Sequence, residues 1–358
     1  MSVARHPWGR ATQRISTFLS ALIILGALLA TIPVGARLKA MASEAATGGE
    51  PLPVSAHAIP LFPDDPDRKE IGKLTYLAGL VIASRDNRFG GYSGLLVNKD
   101  GTKFLAQSDR AYWFTGDLIE DRGHIAGIRN AVLAPMLGDN GKQLESPWDD
   151  SESITPLDTF PGDGGIGDIF VGYETKDRVD RYEIGREGFF ARPHPVSMPP
   201  EIKKNVPNKG FEGITLLADG RLLAITERTL DEKGNEKGWI VPLDGAPAST
   251  LSLHRDDPFD LTDLSRLPNG DILTLERRYT RIAGPGMRIR RIARESIVPG
   301  AVLDGEVIAE LGSSSSIDNM EGLANRQSSD GKTLLYVISD DNQSPLQRTV
   351  LFEFQLND

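Results

Sequence analysis

Cysteine is absent from all 358 residues, which excludes disulfide bonds and a cysteine-linked lipid anchor. An excess of basic charge is missing too, because the formal net charge is −10. That balance argues against nucleic acids and anionic membranes as partners, and it suits cations. Long helical patterns are also lacking, and from Leu74 onward short apolar runs alternate with Gly, Pro, Asn and Asp. These features predict an all-β domain stabilised by core burial, with bound metal as a second source of stability.

The first 42 residues have the pattern of an export signal. Arg5, Arg10 and Arg14 form a basic region, an apolar run follows over 18–36, and Ala40-Met41-Ala42 offers a cleavage site. The alternative is an uncleaved membrane anchor, although polar residues, glycine and proline interrupt the run. Cleavage would leave 316 residues with a net charge of −15. We therefore expect an exported, periplasmic or extracellular protein that has no membrane contact after cleavage.

An internal repeat of 50 to 60 residues indicates the architecture of the remaining chain, with copies that start at residues 93, 152, 212, 262 and 321. Four of the copies carry a tight-turn signal followed by an apolar strand that ends in an acidic residue, and the copy at 152 has a longer glycine-rich loop. This period is typical of a four-stranded β-propeller blade. Strands near 74–83 and 349–354 could form a sixth blade that closes the ring.

The predicted fold is thus an all-β propeller of four-stranded antiparallel blades, with six blades favoured and five as the alternative. The segment 43–70 is rich in proline and aspartate, and we interpret it as a linker. The propeller domain is expected to span 71–358.

Turn chemistry gives a prediction for where the acidic residues lie. Asp-Gly and Asn-Gly favour two-residue hairpin turns, which fix the pairing of the flanking strands. With such turns, three carboxylate pairs stand directly opposite each other: Glu212 with Glu227, Asp263 with Glu276, and Glu321 with Asp340. Like charges at opposed positions are destabilising, so a cation or a raised pKa is expected there. The alternative for each acid is an ordinary solvated strand end or an ion pair with a following arginine.

The sequence also resembles a known family, "esterase-like activity of phytase", over about residues 70–356. The most specific stretches are 299–305, which reads Pro-Gly-Ala-Val-Leu-Asp-Gly, and 317–349, which begins Ile-Asp-Asn-Met-Glu-Gly-Leu. The resemblance implies an exported bacterial propeller and a hydrolase whose repeated acids carry phosphoester hydrolysis. By position, the family's acidic set falls on Glu152, Glu174, Glu212, Glu227, Asp263, Glu276, Asp318, Glu321 and Asp340.

The leading hypothesis is a monomeric, metal-assisted hydrolase that acts on a small phosphoester or related ester. Its catalytic residues are predicted to be Glu212 and Glu321. The ligands of a divalent cation, with Ca²⁺ preferred, are predicted to be Glu152, Asp263, Asp318, Glu321 and Asp340. The residues expected to contact substrate are Asp109, Glu174, Glu227, Glu276, Arg228, Arg277 and Arg348. The alternatives are a non-catalytic propeller that binds a cation or a cationic ligand, and a lactonase-like metal hydrolase.

Overall fold

The computed structural model describes Met1 and residues 48–157, 167–200, 202 and 210–357. The predicted export signal and its cleavage site lie outside these residues, apart from Met1. Within the described part of the chain, no helix is long and apolar enough to cross a membrane. Helical structure in this part is short: α1 (Ile184–Glu187), the 3-10 turns Gly188–Phe190 and Arg294–Ser296, and Ile202, which also has a 3-10 conformation.

Twenty-four strands build the described chain. The N-terminal strands are β1 (Glu50–Pro51), β2 (Val54–Ala58), β3 (Glu70–Ile71) and β4 (Leu74–Ser84). The next two groups are β5 (Tyr92–Val97), β6 (Lys103–Ser108), β7 (Tyr112–Asp121), β8 (His124–Pro135), and β9 (Ser151–Pro156), β10 (Ile169–Tyr173), β11 (Arg178–Tyr182), β12 (His194–Pro195). The third group is β13 (Phe211–Leu216), β14 (Leu222–Leu230), β15 (Glu236–Val241) and β16 (Ser249–Leu253). The last two groups are β17 (Asp260–Arg266), β18 (Ile272–Thr280), β19 (Gly284–Ile292), β20 (Val302–Leu303), β21 (Glu306–Leu311), and β22 (Asn319–Gln327), β23 (Thr333–Asp340), β24 (Thr349–Leu356).

These strands form five sheets, which are the blades of a β-propeller. From the inside outward, the blades are β5-β6-β7-β8-β1, β9-β10-β11-β12, β13-β14-β15-β16-β20, β17-β18-β19-β21, and β22-β23-β24-β4-β2. We number them blades 1 to 5. The innermost strands β5, β9, β13, β17 and β22 neighbour one another in that order, and β22 returns to β5, so the ring is closed.

The all-β propeller predicted from the sequence is confirmed, with five blades, whereas the preferred count of six is wrong. The two segments assigned to a sixth blade do pair, because Thr349 lies opposite Ile82 and Leu356 lies opposite Leu74. They join the outside of blade 5, however, where β24 also pairs with β23. The interpreted linker 43–70 contains β1, which pairs with β8, β2, which pairs with β4, and β3, which also pairs with β4.

The hydrophobic core lies between the blades rather than at one centre. Five apolar clusters of described residues each combine side chains from two adjacent blades. Fully burying one large apolar side chain contributes about 1.5–3 kcal/mol, so every blade is stabilised by both of its neighbours. Near the axis the backbones themselves meet: a Cβ atom on Gly322 of β22 would lie 2.9 Å from the carbonyl carbon of Gly94 in β5. This tight ring positions the polar residues described next.

Candidate functional site

One residue of each innermost strand lies in a β-bulge, where it has no partner in the neighbouring strand. Pairing skips one residue in each of the five innermost hairpins. The skipped residues, which we call the bulge positions, are Ser93, Glu152, Glu212, Thr262 and Glu321. They are also the first residues of the five repeat copies, so the repeat marks a structural feature of every blade.

A second set of equivalent positions lies beside the bulges, on the second strand of each blade or just beyond its end. Backbone pairing places each of these residues next to the start of the innermost strand. These strand-end positions are Asp109, Glu174, Glu227, Arg277 and Asp340. We call the bulge and strand-end positions together with Asp150 the acidic mouth. Among its members, Arg277 is the one cationic residue.

The register predicted for the hairpins is wrong, and the turns give the reason. Hydrogen bonds from Leu217 N to Arg221 O, from Leu267 N to Asp271 O and from Ser328 N to Lys332 O enclose three residues instead of two. Each of these turns ends with a left-handed glycine, such as Gly220 at a φ of 83°. The longer turn and the bulge both shift the strands, so the three carboxylate pairs do not stand directly opposite each other.

Two of the three predicted pairs still converge, through the bulges. Glu212 and Glu227 have carboxylate oxygens within 4.8 Å of each other. Glu321 and Asp340 share Asn319, whose Nδ2 donates to Glu321 Oε1 at 2.6 Å and to Asp340 Oδ2 at 3.4 Å. Both pairs therefore belong to the mouth, but the bulges bring their side chains together, whereas the prediction placed them directly opposite each other in the paired strands.

The third pair separates because both of its acids stand one residue away from the positions that form the mouth: Asp263 follows the bulge residue Thr262, and Glu276 precedes Arg277. Asp263 takes the place that glycine has in blades 1, 3 and 5, and its Oδ2 accepts the N–H of Leu323 from the next blade at 2.7 Å. Glu276 accepts hydrogen bonds from Arg290 Nε and from the Thr274 hydroxyl. The predicted metal ligand Asp263 thus connects two blades, and the predicted substrate contact Glu276 forms an ion pair inside one.

Three further residues predicted for the site are already engaged elsewhere. Asp318 accepts the backbone N–H of Arg348 at 3.1 Å and the side chain of Gln347 at 3.2 Å, which holds the loop before β24. Arg348 also donates to the carbonyl oxygen of Ser316 at 3.2 Å. Arg228 donates to Asp260, with 3.1 Å between Nε and Oδ1. These contacts fix loops around the mouth and leave Arg277 as its cationic member.

Two carboxylate triads stand out among the described residues of the mouth. Asp150, Glu152 and Glu174 form one triad, and Glu174, Glu212 and Glu227 form the other. The ligand oxygens within each triad all lie within 4.8 Å of one another. Glu174 belongs to both, so it could bridge two cations or serve one cation placed between the triads. Each triad is able to hold a metal ion.

Sequence reasoning missed Asp150 as a metal-ligand candidate. It lies two residues before the bulge residue Glu152, and Asp260 and Asn319 occupy the equivalent places before Thr262 and Glu321. A polar residue two places ahead of three of the five repeat copies is the signal that could have identified it.

Burial and crowding raise the pKa of most acids in the mouth. Burial is the main cause for Glu152, followed by the charges of Glu212 and Glu321, and its pKa lies well above the usual range. Burial, together with Glu227 and Glu174, does the same for Glu212. Burial raises the pKa of Glu321 to about 8, against the opposing effect of Arg277. Because the charges of Glu212 and Glu321 raise the pKa of Glu152, the acids of blades 2, 3 and 5 lie close together.

Arg277 provides part of the compensating charge. Its Nε lies 3.1 Å from Glu321 Oε1, and an Nη lies 4.0 Å from Glu227 Oε1. It occupies the position at which blades 1, 2, 3 and 5 have an acid. One guanidinium cannot neutralise this many carboxylates, and Glu227 Oε1 and Asp109 Oδ1 are buried without a hydrogen-bond partner. Such orphaned buried oxygens fit a site completed by a cation.

The pH dependence of stability tests this electrostatic description. The native pKa of Glu174 and of Asp109 is about 7 and that of Glu321 about 8, mainly because of burial, whereas unfolded carboxyls titrate at about 4. The native state therefore binds more protons across this window, and the free energy of unfolding should decrease as the pH rises through it. With chelator present, we expect a loss of at least about 2 kcal/mol between about pH 5 and about pH 8 in urea unfolding.

The Glu321→Gln variant serves as the comparison, because it removes one titrating group and should flatten this slope. A free energy of unfolding that stays constant or increases over the same window would contradict the description.

A family model described as "Phytase-like: Esterase-like activity of phytase" matches residues 87–343. No curated protein matches the chain significantly. Among solved structures, a presumed gluconolactonase is similar at 11% identity and a TM-score of 0.40, over 86% of this chain and 96% of that chain. The β-propeller domain of Cps50 (Swd1) from Myceliophteria thermophila is similar at 11% identity and a TM-score of 0.36, over 83% of this chain and 98% of that chain.

Proposed function

We propose that this chain, which belongs to the Phytase-like family with esterase-like activity, is a metal-assisted hydrolase whose site is the acidic mouth. The family supports hydrolysis of an ester, and the two triads that share Glu174 support a metal. The observation that carries the proposal is Glu227 Oε1, a buried oxygen inside one triad that accepts no hydrogen bond and has Arg277 no closer than 4.0 Å. A buried carboxylate oxygen without a hydrogen bond is costly, and a bound cation would remove that cost.

We propose Ca²⁺ as the cation. All donors in the triads are carboxylate oxygens, which hard cations prefer. Two oxygens bound to one Ca²⁺ at its usual distances are at most about 5 Å apart, whereas Mg²⁺ needs oxygens within about 4.2 Å of each other. The triad oxygens, which lie within 4.8 Å of one another, are compatible with Ca²⁺, and Ca²⁺ also accepts more protein carboxylates in a more flexible geometry than Mg²⁺ does. Asp150, Glu152, Glu174, Glu212 and Glu227 would hold it, and when bound it supplies Lewis-acid activation of the ester and of water.

Glu321 is the residue we propose for proton transfer. It lies outside both triads, so it does not have to give its charge to the cation. Its Oε1 is held by Asn319 and by Arg277, which fixes the orientation of the carboxyl group. Burial raises the pKa of this group to about 8 in the metal-free protein, and a bound cation would bring it down toward neutral pH, where the group can exchange a proton with a water or a leaving group. Glu212, the other predicted catalytic residue, is assigned to the cation instead.

The charge of the mouth defines the class of substrate that we propose. A phytate-like polyanion would need several free cationic side chains, preferably arginines that bind phosphate through two nitrogens. The side chain of Arg228 is engaged with Asp260, and that of Arg348 donates to the Ser316 carbonyl and lies 3.8 Å from Asp318. Arg277 is already close to Glu321 and Glu227. An ester with no charge or one negative charge fits better, which includes carboxylic esters, lactones and phosphodiesters.

A substrate panel tests the function. We expect turnover of p-nitrophenyl acetate, a γ-lactone or bis(p-nitrophenyl) phosphate with Ca²⁺, loss of turnover with chelator, and little release of phosphate from phytate. Glu321→Gln should lower kcat by about a hundredfold or more, with a smaller effect on Ca²⁺ affinity. Absence of hydrolysis with every ester and Ca²⁺ supplied would refute the enzyme. If Ca²⁺ then still raised Tm, the non-catalytic, cation-binding alternative would hold.

The cellular setting is also a proposal. The basic and apolar N-terminal segment supports export, and the strongly acidic remainder of the chain supports a small-molecule substrate over nucleic acid or an anionic membrane. We propose that the protein acts as a monomer outside the cytoplasm, where free Ca²⁺ is plentiful. Cell fractionation and light scattering of the purified protein test these two points.

A further inference from the structure

The opposite ends of the five innermost strands enclose a cavity of about 430 Å³. Each blade contributes at least one buried apolar side chain to its wall: Leu96, Ile154, Leu216, Leu264 and Leu323. These residues follow the bulge positions by two to four residues along each strand. At about 3.3 Å per residue, the floor of the cavity is separated from the acidic mouth by roughly 10 Å of packed strand. The cavity is therefore a different site from the acidic mouth.

The charges that line this cavity have the sign opposite to those of the mouth. Among the described residues of its wall, the charged ones are Lys99, Arg266 and Arg326. Arg326 is occupied, since its Nε donates to the Tyr336 hydroxyl at 3.0 Å and its guanidinium approaches Glu120. The side chains of Lys99 and Arg266 form no ion pair or hydrogen bond with the described part of the chain. A chamber lined by both apolar and polar side chains thus has two uncommitted cations, the partly buried Arg266 and the exposed Lys99.

We propose that this cavity is a second binding site, which takes a small amphipathic anion with an aliphatic body and a single carboxylate. The volume lies in the range of ligand pockets, and a wall that combines apolar side chains with polar groups suits an amphipathic ligand. Arg266 and Lys99 would bind the carboxylate, because charge-assisted hydrogen bonds are among the strongest available to a ligand. No aromatic ring lines the described wall, which favours an alkyl body over a stacked ring.

Calorimetric titration of the intact protein with octanoate and with 1-octanol tests the site. Both are performed in chelator, so that a carboxylate cannot bind through Ca²⁺ at the mouth. We expect one octanoate per chain and at least about tenfold weaker binding of octanol, since a hydrogen bond to a charged group is lost. Equal affinity for the two probes, or no binding of octanoate at millimolar concentration, would overturn the proposal without any variant.

Substitutions locate the site. Arg266→Gln should weaken octanoate binding about tenfold and leave octanol unchanged. Arg85→Gln is the matched control, because Arg85 is exposed and lies outside the wall of the cavity. Glu174→Gln, at the acidic mouth, should leave octanoate binding intact. An equal loss in Arg266→Gln and Arg85→Gln would refute a specific carboxylate site, and a loss in Glu174→Gln would place the anion at the mouth.

Discussion

Replacing Glu174 with glutamine should weaken Ca²⁺ binding by at least about a hundredfold. Glu174 is the residue common to both carboxylate triads, so the substitution removes a charged ligand from each of them. Changes to groups that merely support metal ligands already cost ten- to a hundredfold in affinity, and loss of a ligand should cost more. Calorimetric titration with Ca²⁺ measures the effect directly.

The same substitution should have the opposite effect on the metal-free protein. Burial and the charges of Asp150 and Glu227 raise the pKa of Glu174 to about 7, so its ionised form is unfavourable in the native state. A neutral amide relieves that repulsion, and Glu174→Gln should be at least as stable as the wild type in chelator at about pH 8. Glu232→Gln is the matched control, because Glu232 is exposed and remote from both triads. Ca²⁺ affinity close to that of the wild type in Glu174→Gln would exclude the triads as the metal site.

Replacing Arg277 with glutamine should destabilise the metal-free protein by about 3 kcal/mol. This guanidinium lies within 4.0 Å of both Glu321 and Glu227, which are largely buried. Removal of one partner from a buried ion pair leaves the other charge uncompensated and costs about 3–5 kcal/mol. Because the Arg277 side chain keeps 31% of its exposure, we expect the lower end of that range.

The loss should be largest at high pH, where the remaining carboxyls are ionised, and Ca²⁺ should restore part of it. Urea unfolding of Arg277→Gln with chelator and with Ca²⁺ measures both effects. Arg281→Gln is the control, because Arg281 is exposed near the end of the same strand. If Arg277→Gln and Arg281→Gln were equally stable, Arg277 would not be the cation that compensates the mouth.

The sequence predicted the propeller because the repeat coincides with a physical feature of each blade. The starts of its copies at 93, 152, 212, 262 and 321 are the bulge positions themselves. The blade count was harder to predict, since a pair of strands at the chain ends has the same local pattern whether it forms its own blade or extends another. Pairing of β24 with both β23 and β4 decides the matter, and that contact is long-range.

The site was predicted only in part, and the reason lies in single-residue shifts. Glu152, Glu212, Glu321 and Asp340 do gather at the mouth, as their repeat positions indicated. Asp263 does not, because blade 4 has Thr-Asp where blades 3 and 5 have Glu-Gly, and this moves its acid onto the neighbouring blade. A two-residue turn and a three-residue turn carry similar sequence signals, so the register could not be read from Asp-Gly alone.

Closure of the ring affects when the acidic mouth forms during folding. The ring that brings blade 5 back beside blade 1 closes only when β4 and β24 pair, and these strands lie near opposite ends of the described propeller. A fold that depends on such distant pairing is expected to form slowly. The repulsion among the acids should therefore be largely absent from the early folding transition state. Removing that repulsion would then slow unfolding more than it accelerates folding, so the acidic mouth limits the lifetime of the native protein and not its formation.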